Sequence, residues 1–254
     1  MAKIVIFDSG FGSLSVIRHL QKLTKSHIIY FADQENFPYG KKTISELKEI
    51  INKSLICLQE KFKPDLIVLG SITLSLTIYF KNKSSLIGVF PPVKKAAKKT
   101  KTSSIAILAT NSIIKSRILF NYISKNLSKQ ISVIQINASP LIELVESGDF
   151  VSNKEKCTEK ITKVLYTKLR KNNVDVVLLS STHLPFLLPL LKKIFQDINF
   201  LEPSMEVAET VSKKILKNKS KRNSLKIFAS GNVIEFEKKL KSIGIQSKVN
   251  SFHI

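Results

Sequence analysis

Short runs of β-branched and aliphatic residues alternate with longer amphipathic stretches along most of this chain, and that alternation restricts the fold more than any other feature. The runs at 3–7, 27–31, 65–69, 86–89, 104–108, 131–136, 174–179 and 225–229 read as buried strands. Between them, Ile44, Leu47, Ile51, Leu55, Leu58 and Phe62 recur at helical spacing, and Cys157, Ile161, Val164, Leu165 and Leu169 form a second stripe. Strands separated by helices predict parallel sheets with crossover helices, the α/β class. The chain also echoes itself. Residues 64–73 resemble residues 173–183, and with Asp65 set on Asp175, Ser71 falls on Ser181; residues 4–9 (IVIFDS) likewise parallel 105–110 (IAILAT). Two related halves, each presenting small polar residues at strand C-termini, predict two pseudo-symmetric lobes. Each is expected to be a mostly parallel sheet flanked by helices, with a ligand cleft between the lobes. Consecutive prolines at 91 and 92 put the break near residue 90.

The length, 254 residues, suits one large α/β domain or two small ones, and 43% hydrophobic residues suffice for a packed core. With Cys57 and Cys157 as the only cysteines, a disulfide scaffold is excluded, and both thiols read as small core residues. The N-terminus carries Asp8 and no long apolar stretch, so no signal peptide is expected. The greasiest segment, 176–191, is broken by Ser180, Ser181, Thr182, His183 and two prolines, and does not read as a membrane span. A cytoplasmic location is the expectation. The 41 Lys and Arg against 19 Asp and Glu give a net charge of +22, nearly all of it lysine, with dense runs at 94–101 and 213–222. Aromatics make up 8%, tryptophan is absent, and only four residues are arginine, so the forks and stacking platforms of nucleic-acid readers are thin. Lysines on solvated helix faces account for the charge, and nucleic acid is not an expected partner. A positive field also attracts small anions.

Three strand-end motifs carry candidate chemistry. Residues 8–15 (DSGFGSLS) follow one strand and open a helix. A dinucleotide fingerprint would need a third glycine where Ser15 stands, and Asp8 would oppose a pyrophosphate, although Asp33 follows at the end of the next strand. Gly10 and Gly12 are better suited to a tight turn that aims amides at a small carboxylate. Residues 37–42 (FPYGKK) form a loop after a strand, a candidate for substrate contact. Ser180, Ser181, Thr182 and His183 place an imidazole beside hydroxyls just past a buried strand. No Cys or His cluster has metal-ligand spacing and no phosphate-binding P-loop is present, so neither metal nor cofactor is expected.

Taken together, these segments resemble the glutamate racemases of the cofactor-independent aspartate/glutamate racemase superfamily. The matching stretches are 5–15 (VIFDSGFGSLS), 30–42 (YFADQENFPYGKK), 65–75 (DLIVLGSITLS), 105–116 (IAILATNSIIKS), 138–148 (ASPLIELVESG) and 177–187 (VLLSSTHLPFL), in the family's order and spacing. The resemblance implies two α/β lobes, residues 1–92 plus 206–254 and residues 93–205, with the last strand and helices returning to the first lobe. It implies an acidic amino acid such as glutamate or aspartate, or a small carboxylate, as ligand, and is compatible with a homodimer.

Family members racemise by passing the α-hydrogen between two cysteines, a thiolate base on one face and a thiol acid on the other. A thiol with a reference pKa of about 8.5 is tunable to that task. The motifs that carry those cysteines read Ser71-Ile72-Thr73 and Ser181-Thr182-His183 here, so both thiols are replaced by hydroxyls. The resemblance gives Asp8, Ser71, Glu146, Ser181 and His183 the catalytic positions, and Ser9, Pro38, Tyr39, Gly40, Ile72, Thr73, Thr110 and Thr182 the substrate-binding ones. Ile72 stands where an asparagine grips substrate and Ile113 where a threonine is expected; each loss leaves a ligand polar group unpaired at a cost of about 1–3 kcal/mol. The sequence therefore points to a racemase-family isomerase without efficient two-thiol racemisation. The alternative is a non-catalytic descendant that binds a small anion or a partner.

Overall fold

The computed structural model describes residues 2–78, 85–215 and 222–254. Residues 216–221 of the lysine run at 213–222 lie outside them. The chain divides into two compact units, Met1–Val89 with Ser204–Ile254, and Phe90–Pro203.

Ten strands occur among the described residues: β1 (Lys3–Asp8), β2 (His27–Ala32), β3 (Leu66–Leu69), β4 (Leu86–Gly88), β5 (Ser104–Ala109), β6 (Ser132–Asn137), β7 (Val176–Leu179), β8 (Asn199–Leu201), β9 (Ser224–Ala229) and β10 (Val249–Ser251). The first unit holds a six-stranded sheet in the order β10-β9-β2-β1-β3-β4, and the second a four-stranded sheet in the order β6-β5-β7-β8. Every pairing is parallel. The reason is visible in the side chains. β1, β2, β3, β5 and β7 are apolar on both faces and buried almost throughout, which a parallel sheet covered by helices requires. The fold is α/β with two helix-flanked parallel sheets.

The internal echo becomes a topological one. The order β2-β1-β3-β4 in the first sheet repeats as β6-β5-β7-β8 in the second, and β9 and β10 extend only the first. The two aligned aspartates do the same work in both copies. Asp65 Oδ2 accepts the Lys3 amide at 2.7 Å where β1 begins. Asp175 accepts Thr100 Oγ1 at 2.6 Å and the amides of Lys101 and Thr102 at 2.5 and 3.2 Å just before β5.

Helices follow the predicted stripes. The stripe from Ile44 lies on the helix Ile44–Phe62, which buries Leu47, Ile51, Leu58 and Phe62. A capping box starts it: Thr43 Oγ1 accepts the Glu46 amide while the Glu46 carboxylate accepts the Thr43 amide at 2.7 Å. The second stripe lies on Lys154–Lys171 and buries Cys157, Ile161, Leu165 and Leu169. Neither β8 nor β10 was expected as a strand; each has three residues, too few to show a period. Among the described residues, no helix is long and apolar enough to cross a membrane.

In each unit the chain leaves the central strand for a neighbour on one side and returns on the other. The order reverses between β1 and β3, and again between β5 and β7. The loops after these strands are where an open α/β sheet collects a ligand. They lead into Asp8, Ser9, Ser71, Ile72, Thr73, Thr110, Ser181, Thr182 and His183, whereas Pro38, Tyr39 and Gly40 follow β2 and Glu146 ends the helix after β6.

Candidate active site

In the first unit, Asp8 ends β1 and is 2% exposed. Its Oδ1 accepts the Ser9 amide at 2.8 Å, and Ser13 Oγ lies 2.8 Å from Oδ2 and 3.0 Å from the Gly70 carbonyl oxygen. Ser13 thus ties the loop after β1 to the end of β3. This junction requires glycine at position 70, because a Cβ there would lie 1.9 Å from Ser13 Oγ. The next residue, Ser71, starts the helix Ile72–Thr77 and accepts the Leu74 amide at 3.5 Å as its cap. Thr73 lies in the first turn and is buried at 6% exposure. Ile72 is 2% exposed and packed in the interior.

The loop after β2 is anchored by Asp33, which from sequence is a candidate only as a nucleotide-binding acid. Asp33 is 2% exposed, and its amide donates to the Asp8 carbonyl oxygen at 2.7 Å. Its carboxylate accepts Tyr39 Oη at 2.9 Å, Asn36 Nδ2 at 3.0 and 3.1 Å, and Ser230 Oγ at 3.1 Å. Burial, and then the Asp33 carboxylate, push the Tyr39 phenol well above its ordinary range, so it remains a donor. The Tyr39 ring packs edge-on against Phe7 of β1 at 6.0 Å. Pro38 and Gly40 flank it, half-buried. The loop of Asp8 and Ser9 gains two more supports, from Gln34 Nε2 to the Ser9 carbonyl oxygen and from Tyr30 Oη to that of Gly10. Asp8, Ser9, Pro38, Tyr39, Gly40, Ser71, Ile72 and Thr73 therefore come from the C-terminal ends of three adjacent strands, β2, β1 and β3.

In the second unit, Thr110 follows β5, and its Oγ1 lies 3.3 Å from Ser112 Oγ. Ile113, in the short helix Asn111–Ile114, is 2% exposed. Across the strand pair, Ser180, Ser181, Thr182 and His183 follow β7 and are all at most 8% exposed. His183 Nε2 meets Glu146 Oε1, and His183 Nδ1 lies 3.4 Å from Ser181 Oγ. Glu146 is the last residue of the helix Ser139–Glu146, which delivers it to the end of β7. A carboxylate accepts only, so in the neutral ring Glu146 takes the Nε2 hydrogen and leaves the Nδ1 lone pair facing Ser181. Ser180 Oγ, one residue earlier, is buried without a hydrogen-bond partner.

The thiols lie elsewhere. Cys57 is on the helix Ile44–Phe62 and half-buried, and Cys157 is fully buried on Lys154–Lys171, where burial raises its pKa. Among the described residues, no group of three His, Cys, Asp or Glu side chains is placed to hold a metal ion.

Two strand-end clusters on a repeated α/β unit invite comparison with known proteins. The glutamate racemase of Clostridium botulinum (strain Alaska E43 / Type E3) is 28% identical over 252 residues, covering 93% of this chain and 96% of that one. That of Clostridium novyi (strain NT) is 29% identical, covering 94% and 97%. The structure of Escherichia coli glutamate racemase, in complex with L-glutamate and the activator UDP-MurNAc-ala, superposes with a TM-score of 0.84 at 22% identity, covering 99% of this chain and 98% of that one. Over most of its length the chain is similar in sequence to glutamate racemases, and it shares their fold. No family model matches it. The sequence motifs and the strand ends coincide: the loop after β1 carries the Asp-Ser-Gly turn, and the loop after β7 the Ser-Thr-His turn. Sequence reasoning missed Asp33 as a support of the Tyr39 loop. Its donor Ser230 is 197 residues away, and no local pattern announces such a pair.

Proposed function

We propose that this protein takes up an acidic amino acid, or a small carboxylate like it, and does not racemise glutamate efficiently by a two-thiol route. One observation carries the reading. Hydroxyls, Ser71 and Ser181, stand at the ends of β3 and β7, while both thiols of the chain are on helices. The α-hydrogen of an amino acid is a very weak acid. A thiolate is accessible near neutral pH, whereas a serine alkoxide is far harder to generate. On this reading Asp8, Glu146 and His183 carry what proton transfer remains, with Ser71 and Ser181 in the positions of the missing thiols. Ser9, Pro38, Tyr39, Gly40, Thr73, Thr110 and Thr182 contribute the binding surface. The E. coli relative, solved with L-glutamate, supports an acidic amino acid as the ligand class.

A second reading, a binding protein without catalysis, is favoured by Ile72 and Ile113. Both are 2% exposed and offer a ligand no hydrogen bond. The test is to incubate the protein with D- and L-glutamate and D- and L-aspartate in heavy water and follow the α-proton by NMR, with calorimetry for binding. We expect binding of at least one of the four and no rapid loss of the α-proton signal. Exchange at the rate of a two-cysteine racemase would overturn the proposal. Slow exchange supports the enzyme reading, and binding with none supports the second.

A further inference from the structure

We propose that Glu146, His183 and Ser181 form a nucleophilic relay that transfers a compact acyl group from an ester or thioester to water. The inference stands on geometry within one unit and does not depend on which amino acid the protein binds.

The arrangement has the three roles of an activated serine: a hydroxyl, a base within reach of it, and an acid that orients the base. Ser181 Oγ is 3.4 Å from His183 Nδ1, and Glu146 Oε1 holds Nε2 on the far side of the ring. All three side chains are largely withdrawn from water; His183 and Glu146 are 11% and 14% exposed, and Ser181 as a residue 7%. Glu146 fixes the tautomer in which Nδ1 accepts, so the Ser181 hydrogen has an acceptor directly beside it.

The same geometry argues for carbonyl chemistry over removal of an α-hydrogen. The lone pair of His183 is turned on Ser181, so the base meets a substrate through that hydroxyl. To act on a carbon acid, Ser181 would have to be an alkoxide first. To attack a carbonyl, it gives its proton to Nδ1 as the new bond forms. The step balances: the Ser181 Oγ–C bond forms as the hydroxyl proton moves to His183. The bond from the acyl carbon to the leaving oxygen or sulfur then breaks, and that group departs with the proton. Water repeats the sequence in reverse, its proton passing to His183 and then to Ser181 as the acid is released. Ser71, at the matching position of the other sheet, accepts the Leu74 amide at 3.5 Å much as Ser181 accepts the His183 amide at 3.4 Å, but among the described residues no imidazole hydrogen-bonds to it. Reactivity is therefore expected at position 181. The low exposure of Ser180, Ser181 and Thr182 limits the acyl group to a compact one.

A fluorophosphonate probe tests the relay on the full chain, since attack by Oγ forms an O–P bond and expels fluoride. Peptide mass spectrometry should place a single adduct on Ser181, and 4-nitrophenyl acetate should release a burst of nitrophenolate. The Ser181→Ala variant should lose both, and His183→Gln should label roughly 100-fold more slowly, the usual reach of a lost general base. Because any variant can misfold, each is checked by circular dichroism, and a gain of function is added. In Ser181→Cys, iodoacetamide should alkylate position 181 faster than Cys57, and adding His183→Gln should remove that advantage. No adduct at Ser181 in the unmodified protein, or labelling that His183→Gln leaves unchanged, overturns the relay.

Discussion

Two adjacent serines after β7 have opposite circumstances. Ser181 Oγ faces an imidazole, whereas Ser180 Oγ is buried at 3% exposure with no partner. A buried hydroxyl without a hydrogen bond forfeits about 1–3 kcal/mol of solvation. Ser180→Ala removes that cost and leaves no cavity larger than a single oxygen. We expect the variant to be more stable by about 1 kcal/mol, which raises the unfolding midpoint by roughly 2–4 °C for a chain of this size. Thermal melts of both proteins read this directly, and a lower midpoint would show that the hydroxyl has a partner when the protein is folded in water. The residue scale is also where the sequence is least legible. Ser180 and Ser181 are the same letter in the same run, and only the ring beside one of them separates their chemistry. Asp33 is a similar case. A sequence shows an acid at the end of a strand, and only the folded chain brings it the hydrogens of Tyr39, Asn36 and Ser230.

Elements were far easier to read, for a physical reason. Strands buried on both faces must be continuously apolar, so β1, β2, β3, β5 and β7 stand out from sequence alone. The edge strands β8 and β10, three residues each, carry no such burden and leave little pattern. What pins the starts of the central strands is the pair of aspartates seen in the internal echo, and Asp175 makes this testable by pH. Burial alone would raise its carboxyl pKa, but hydrogen bonds from Thr100, Lys101 and Thr102 outweigh that and hold it below the ordinary carboxylate value. A carboxyl with a depressed folded pKa binds its proton more readily in the unfolded chain. Its contribution is therefore complete above the unfolded pKa, about 3.9, and is lost as pH falls through the folded one. Asp175→Asn should be less stable than the parent by about 1 kcal/mol at pH 7. The difference should shrink steadily once the pH drops below about 4. Urea titrations at pH 7, 4 and 3 measure it, and a gap that stayed constant would assign the loss to shape rather than charge.

At the scale of the whole molecule, the repeated order β2-β1-β3-β4 and β6-β5-β7-β8 explains why two motifs so far apart in sequence were legible together. Each sits at the point where its sheet reverses direction, so the same fold rule selects both. The proposed function also sets what two-thiol racemisation by this chain would require. A carbon acid inverted by two bases needs a thiol at both strand ends, so we expect Ser71→Cys or Ser181→Cys alone to leave glutamate unracemised. The double variant should gain measurable turnover, because His183 and Glu146 remain beside position 181 and Asp8 remains on the strand next to position 71. That turnover should stay low while Ile72 is present. An aliphatic side chain there leaves a ligand polar group unpaired at about 1–3 kcal/mol, so adding Ile72→Asn should raise kcat/KM by roughly 5- to 150-fold. Polarimetry of L-glutamate with the four variants in parallel decides it. If the double variant is already as fast as the triple, Ile72 has no part in binding. If neither turns over while both bind glutamate, the obstacle to racemisation lies beyond the two hydroxyls.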